Sequence, residues 1–330
     1  MQHHAFERPI PIDSHPANQQ SYMLATPSID EAYQHIKRCI RTRIPGSIIY
    51  AITRYGKTYF IKFAMATVIN DFPGIVAINF GCELRKKPSE GAFFSMLLLA
   101  VGHEKPTSGS VMDRRARLMN KLLDKLSKSG QRRLVVFVDE AQKLEIEEYE
   151  WLWEIHDSLE RRGFRMITFL VGQPKLVNRK TALKLSGESQ IVARFMIEES
   201  QFHGLRNKEE VERCMLGYDN SCFPHGTDWS YTRFFLPKAW SQGYRLQTCA
   251  AVLWDTFDSI HRSLELPSGA MEIPMTYFTR AVEYLLTEVA PESDDFNFQF
   301  TEEHWQDAVD YVKFATAQEE LLTKINVDDY

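Results

Sequence analysis

The stretch Ala51-Ile52-Thr53-Arg54-Tyr55-Gly56-Lys57-Thr58 decides how this chain is read. It follows the apolar run Ser47-Ile48-Ile49-Tyr50 and opens a helical pattern over residues 57–70. A strand, a loop closing in Gly-Lys-Thr and a helix form the context in which backbone N–H groups and a lysine wrap a nucleotide's phosphates. Lys57 is expected to neutralise β- and γ-phosphate oxygens, and the Thr58 hydroxyl to coordinate Mg²⁺. Arg54, Tyr55 and Gly56 complete the nucleotide-binding set, with backbone N–H groups from Tyr55 to Thr58 expected to point at the phosphates, helped by the helix N-terminus. The first position of the pattern is Ala51 instead of glycine, which removes freedom where unusual dihedral angles are often needed.

Downstream, Leu134-Val135-Val136-Phe137-Val138-Asp139-Glu140 reads as a buried strand ending in two acids. Asp139 is expected to complete the Mg²⁺ shell and Glu140 to polarise the attacking water. The plainer reading of Glu140 is an acid capping the next helix. After another apolar run, Gly172-Gln173-Pro174 offers Gln173 to orient the γ-phosphate or the water. Arg194 sits just before a weak fifth strand expected near residues 195–197, where a neighbouring subunit's arginine finger is expected. Arg245, in Ser241-Gln242-Gly243-Tyr244-Arg245, is expected to reach back to the same phosphates. A surface or salt-bridge role is the alternative for both arginines. The site as a whole predicts an ATPase with Mg²⁺, slow and dependent on assembly.

With 330 residues, 44% hydrophobic and 25% charged, the composition is that of a soluble globular protein of two domains, or of one large domain with a small companion. The longest nearly apolar run, residues 92–102, is too short to span a bilayer, so no membrane partner is expected. The N-terminal residues carry no cationic–apolar–small-residue pattern, and the expected location is the cytoplasm. The five cysteines (39, 82, 214, 222 and 249) are scattered and read as reduced core thiols. No His, Cys or Asp arrangement suggests a metal cluster or a nucleophile.

The net charge of −5 conceals an asymmetry. Residues 1–200 hold 29 Lys and Arg against 22 Asp and Glu, whereas residues 201–330 hold 10 against 22. The densest basic stretch, residues 85–133, has 12 basic and 4 acidic residues. An anionic partner for the first part is therefore expected. Arg85-Lys86-Lys87, after the second strand, and Arg114-Arg115 in the next basic helix are the candidate DNA contacts. Such clusters neutralise backbone phosphates without reading sequence. A solvated face remains the plainer reading for any one of these cations.

Apolar runs at 47–52, 75–80, 134–138 and 166–171 alternate with helical patterns at 57–70, 89–102, 111–129 and 147–162. This alternation predicts an α/β three-layer αβα domain around a parallel sheet with right-handed crossovers. Beyond residue 204 helical patterns dominate, over 208–216, 246–263, 276–289 and 301–314, and predict an all-helical lid. The expected organisation is an extended N-terminal arm (1–28), a nucleotide-binding domain (29–205), a lid (206–315) and an acidic tail (316–330). Within the arm-to-sheet connection, residues 29–43 read as an amphipathic helix stopped by Pro45-Gly46.

With the P-loop, Val-Asp-Glu-Ala-Gln (138–142), Leu-Val-Gly-Gln-Pro (170–174) and the Gly-x-Arg element in that order, the chain resembles AAA+ ATPases. More narrowly, it resembles the TnsC/TniB transposition regulators of Tn-seven-like elements, relatives of MuB and ExeA. The resemblance covers about residues 28–260. It implies binding of ATP and assembly of a homo-oligomer, as rings or filaments, on double-stranded DNA. Recruitment by a target selector such as TniQ with an RNA-guided Cascade, and activation of the transposase subunits TnsA and TnsB, are implied by the same resemblance. Lys57, Thr58, Asp139 and Glu140 match the family's positions residue by residue; Arg194 and Arg245 match by location. The alternative is an ExeA-like or helicase-loader-like ATPase that remodels a protein partner and does not coat DNA.

Overall fold

The computed structural model describes residues 6–84, 86–264 and 271–319. The chain divides into two compact units, residues 31–202 and residues 1–30 together with 203–330.

The first unit is built on five strands, β1 (Gly46–Tyr50), β2 (Val76–Gly81), β3 (Arg133–Asp139), β4 (Arg165–Gly172) and β5 (Glu198–Gln201). They form one parallel sheet in the order β2-β3-β4-β1-β5. The helices are α1 (Pro27–Thr42), α2 (Lys57–Asp71), α3 (Glu90–Ala100), α4 (Val111–Lys128), α5 (Ile146–Glu160), α6 (Lys175–Leu185) and α7 (Ser189–Phe195). Along β3, Leu134, Val136 and Val138 join the apolar cluster that holds Phe94 of α3, Leu122 of α4 and Leu152 of α5. The alternate residues Val135 and Phe137 are equally buried, and Phe137 stacks on Phe169. Successive side chains point to opposite faces, so both faces of the sheet are covered, as the continuous apolar runs require. In α4 the apolar residues Leu118, Leu122 and Leu126 fall one turn apart on the buried face, and Ser110 with Asp113 closes a capping box.

The register sets the site. Tyr50 lies opposite Gly172 and Gln201, and Gly81 lies opposite Asp139. The loops after β1, β3 and β4 therefore leave the same carboxyl edge, where open α/β sheets bind ligands.

The fifth strand departs from expectation. Residues 195–197 follow the end of α7, and the strand is Glu198–Gln201. It is a polar edge strand whose Glu198 pairs with Arg38 and whose Glu199 pairs with Lys180, so it has no apolar run to read.

The second unit contains α8 (Lys208–Asn220), α9 (Tyr231–Phe235), α10 (Pro237–Ser241), α11 (Ala250–Ser263), α12 (Met275–Tyr284), α13 (Ala290–Ser293) and α14 (Glu302–Tyr311). Its core gathers Tyr218, Phe234, Phe257, Phe278 and Trp305. The expected helix over 276–289 is α12 continued by a π-helical turn, Leu285–Val289. The two five-residue helices α9 and α10 escape periodicity because each is little more than a turn.

Residues 6–28 do not form an extended arm. Arg8 donates to the carbonyls of Phe234 and Phe235, and Ile12–Ser14 forms a 3₁₀ turn. His15 and Ala17 are fully buried, with the His15 ring stacked on Phe234 and edge-on to Tyr231. Burial lowers the His15 pKa to about 4, so it is neutral in this aromatic cage. Tyr22 bonds the Tyr218 hydroxyl and donates to Glu283. Ser28 donates to the His203 carbonyl and accepts from its N–H, which ties the N-terminal segment to the start of the helical segment within the same unit.

Cys39, Cys82, Cys214 and Cys249 are buried thiols, and Cys222 is partly exposed. Trp305 is fully buried, whereas Trp151, Trp153, Trp240 and Trp254 are half-buried. Arg85 and residues 320–330 of the expected tail lie outside the described residues. Among the described residues no helix is long and apolar enough to cross a membrane.

Candidate nucleotide site

β1 delivers the chain to the carboxyl edge, where the Ala51 N–H donates to the Gly172 carbonyl at 3.0 Å. The left-handed positions of the loop are Arg54, with φ of 72°, and Gly56, with φ of 96°. Ala51 is not one of them, so the missing first glycine carries no backbone strain, contrary to expectation. Gly56 caps α2 without a side-chain hydrogen bond. The first-turn N–H groups of a helix have no intrahelical partner, so this end is built to receive an anion.

Lys57 is 8% exposed, and its Nζ donates to the carbonyls of Ala51 and Ile52 at 3.0 Å each. Burial lowers its pKa, while the neighbouring Glu140 and Asp139 oppose that shift. The Thr58 hydroxyl donates to Asp139 Oδ2 at 3.2 Å. Asp139 Oδ1 accepts from the Glu140 N–H at 2.9 Å. Burial raises the Asp139 pKa, and these two hydrogen bonds together with Lys57 act against the rise. The structure thus brings Lys57, Thr58, Asp139 and Glu140 together at one edge.

Glu140 has φ of 55°, a left-handed turn at the end of β3. Its Oε2 accepts from Gln142 Nε2 at 2.9 Å and lies 3.3 Å from Lys143 Nζ. The other end of the same carboxamide, Gln142 Oε1, accepts from the Gln173 N–H at 3.0 Å. Gln142 therefore links the carboxylate after β3 to the loop after β4. Gly172 makes room for it, since a Cβ there would come under 3.0 Å from Gln142 Oε1. Sequence reasoning passed over Gln142, although the Asp-Glu-Ala-Gln run contains it. The only available signal was a polar side chain two residues past the acid.

Arg194 lies at the other edge of the sheet, in the last turn of α7. A Cβ on Gly46, the first residue of β1, would collide with the Arg194 carbonyl. The Arg194 guanidinium pairs with Asp157, meets His156 Nδ1 at 2.6 Å and covers Trp153 at 5.0 Å from its ring centre. It does not join the P-loop of its own chain. His156, Asp157 and Glu160 bring ligand atoms within 4.8 Å of one another, a grouping invisible in the sequence. The Arg194 guanidinium already contacts two of them, His156 and Asp157. Arg245 belongs to the helical unit, where it covers Trp240 at 3.5 Å and donates to the Tyr244 carbonyl at 2.6 Å.

The basic residues divide by their partners. Lys86 and Lys87 are exposed. Arg114 instead donates to the carbonyls of Gly91 and Thr107 and to Ser95 Oγ, stapling the loop before α4. Arg115 pairs with Glu90 and Glu154 and lies over Phe94. Both arginines are already committed to internal bonds.

Residues 46–179 match the family model described as AAA domain. No curated protein matches the sequence. Among solved structures, the chain is similar to the Aeropyrum pernix ORC2 protein in its ADPNP-ADP complexes, with a TM-score of 0.59 at 13% identity over 91% of this chain and 72% of that one. It is also similar to the Walker-type ATPase paby2304 of Pyrococcus abyssi, with a TM-score of 0.51 at 14% identity over 96% and 79% of the two chains. The parallel sheet with its flanking helices, the P-loop after β1 and the helical C-terminal region make this the P-loop AAA+ fold.

Proposed function

We propose that this protein is an ATP-dependent switch that oligomerises on double-stranded DNA and there connects a target-selecting complex to a transposase. The observation that carries the ATP half is the Lys57–Thr58–Asp139–Glu140 constellation, with the Thr58 hydroxyl 3.2 Å from Asp139. The site fits ATP and Mg²⁺: a helix start without a side-chain cap, a buried ammonium held by two carbonyls, and two oxygen ligands side by side. The ADPNP-ADP complexes of the ORC2 protein, which has the same fold, support this reading.

Lys57 exchanges its two carbonyl partners for β- and γ-phosphate oxygens, and the N–H groups from Arg54 to Thr58 line the phosphate path. Thr58 and Asp139 would hold Mg²⁺, which would supply charge stabilisation to the phosphoryl oxygens. Glu140 takes the proton of the attacking water; its Oε2 is held by Gln142, which leaves Oε1 for that task. Gln173 orients the γ-phosphate. Arg194 leaves Asp157 to act on a neighbouring subunit's nucleotide, and Arg245 leaves Trp240 to act as the lid arginine, so hydrolysis waits on assembly.

The DNA half rests on the exposed pair Lys86 and Lys87 and on the basic excess of residues 1–200. The transposition partners rest on the resemblance of 138–142 and 170–174 to TnsC/TniB regulators. Fluorescence anisotropy of an arbitrary-sequence duplex, titrated with protein under ATP, ADP and no nucleotide, tests the proposal. Cooperative binding confined to ATP and lost in Lys57→Ala is the expected result. Absent or nucleotide-independent binding overturns the DNA half in favour of a remodeller of proteins.

A further inference from the structure

A second cavity, of about 190 Å³, opens at the amino edge of the sheet, remote from the P-loop. Arg43, Arg133, Arg165 and Arg194 line it, with His156 and Glu160. The chain brings these arginines together by register. Arg133 and Arg165 are direct partners on the adjacent strands β3 and β4, and like charges placed directly opposite one another cost stability. Arg43 follows α1 in a left-handed turn, with φ of 60°.

Only part of this charge is balanced inside the protein. Arg165 pairs with Glu160 at 2.7 Å, and Arg194 pairs with Asp157. Among the described residues, the guanidinium groups of Arg43 and Arg133 make no hydrogen bond or ion pair. Burial first, and Arg194 second, lower the His156 pKa, so this ring adds no charge near neutral pH. Two residues with unbalanced guanidinium groups thus line a cavity smaller than the roughly 300–1,000 Å³ typical of whole small-molecule ligands. A guanidinium fork matches the oxygens of a phosphoryl group two at a time.

We propose that this cavity binds a phosphoryl group, with Arg43 and Arg133 as its principal ligands and Arg194 at its rim. Two sources share this chemistry: free inorganic phosphate and, resting on the assembly proposed above, the terminal phosphate of a nucleotide held by a second copy of the chain. The site does not depend on ATP hydrolysis by the P-loop.

The test uses the full chain carrying Lys57→Ala, which removes the P-loop ammonium. Inorganic phosphate is titrated by calorimetry at constant ionic strength. Saturable binding that persists in Lys57→Ala and weakens at least tenfold on adding Arg133→Gln or the exposed Arg43→Gln supports the free-phosphate source. Arg133→Lys, which keeps the charge and loses the fork, should fall between, and equal melting temperatures show that the variants fold. In a second arm, with Lys57 intact, ATP-dependent self-association is followed by sedimentation. Loss of assembly in Arg133→Gln and Arg43→Gln at unchanged ATP affinity, without free-phosphate binding, assigns the group to the neighbour's nucleotide. Phosphate binding that vanishes with Lys57→Ala and ignores Arg133→Gln, together with unaltered assembly, overturns the proposal.

Discussion

Gly172→Ala isolates the Gln142 bridge from the rest of the nucleotide site. The new Cβ would come under 3.0 Å from Gln142 Oε1, with Leu176 Cδ2 at 3.3 Å and the Gln142 N at 3.4 Å. The tightest contact is the end of a flexible side chain, so the carboxamide swings away and the fold survives. It then loses its bonds to the Gln173 N–H and to Glu140 Oε2. At about 0.5–1.5 kcal/mol for each net hydrogen bond, the loss is about 1–3 kcal/mol. If it falls wholly on the orientation of Glu140 and Gln173, turnover drops roughly 5- to 150-fold, at about 1.36 kcal/mol per decade. Nucleotide affinity should hold, because Lys57 and the α2 N-terminus are untouched. Steady-state ATPase measurements beside the affinity for a fluorescent nucleotide separate the two. Gln142→Ala should reproduce the defect, and the double variant should be no worse than Gln142→Ala alone, since the partners act as one unit. Parental turnover in Gly172→Ala, or a defect that only mirrors weaker binding, would refute the reasoning.

Gly46→Ala should be far more damaging to stability, because its Cβ would lie under 3.0 Å from the backbone of Phe195 and Arg194. Backbone cannot swing aside, and a loss of about 3 kcal/mol is expected in urea denaturation; a change within about 0.5 kcal/mol would contradict this close approach. Glu283 is buried beside Tyr22, and burial pushes its carboxyl from 4.5 up to about 7. The folded state therefore holds this proton more tightly, so stability is full below pH 4.5 and falls as pH rises through about 7, by about 3 kcal/mol. Glu283→Gln should flatten that decline, and a parent equally stable at both ends of the range would rule it out. Charge reversal of Lys86 and Lys87 should weaken DNA binding and reduce the log–log salt slope by about 1.8. An unchanged slope would remove both lysines from the interface.

The parts of the fold that were legible in the sequence are those written locally. β1, β3 and β4 are apolar runs because both of their faces are covered, and Lys57, Thr58, Asp139 and Glu140 sit at fixed offsets from strand ends. Features set by distant partners were not legible. β5 takes its place through Arg38 and Lys180, and its own residues Glu198-Glu199-Ser200-Gln201 carry no strand signal. The N-terminal residues read as an extended arm because their partners, Phe234 and Tyr218 among them, lie some two hundred positions away. Net charge identified a basic region but could not distinguish Arg114 and Arg115, bonded internally, from Lys86 and Lys87 in solvent. The doubt over Ala51 dissolves for a related reason: the loop takes its left-handed turns at Arg54 and Gly56.

The division of the chain, in which residues 1–30 belong to one unit with 203–330 while 31–202 form the other, has a consequence for synthesis on the ribosome. The residues that cage His15 and bond Tyr22 are translated only after the whole α/β unit. At roughly 5–20 residues per second, the first segment waits about 10–40 s for its partners. During that interval its apolar and aromatic side chains are without their native cover, while β1 to β5 are already free to pair. A nascent chain stalled before α8 should therefore hold a folded P-loop unit behind a protease-sensitive N-terminal segment, and release of the stall should protect that segment.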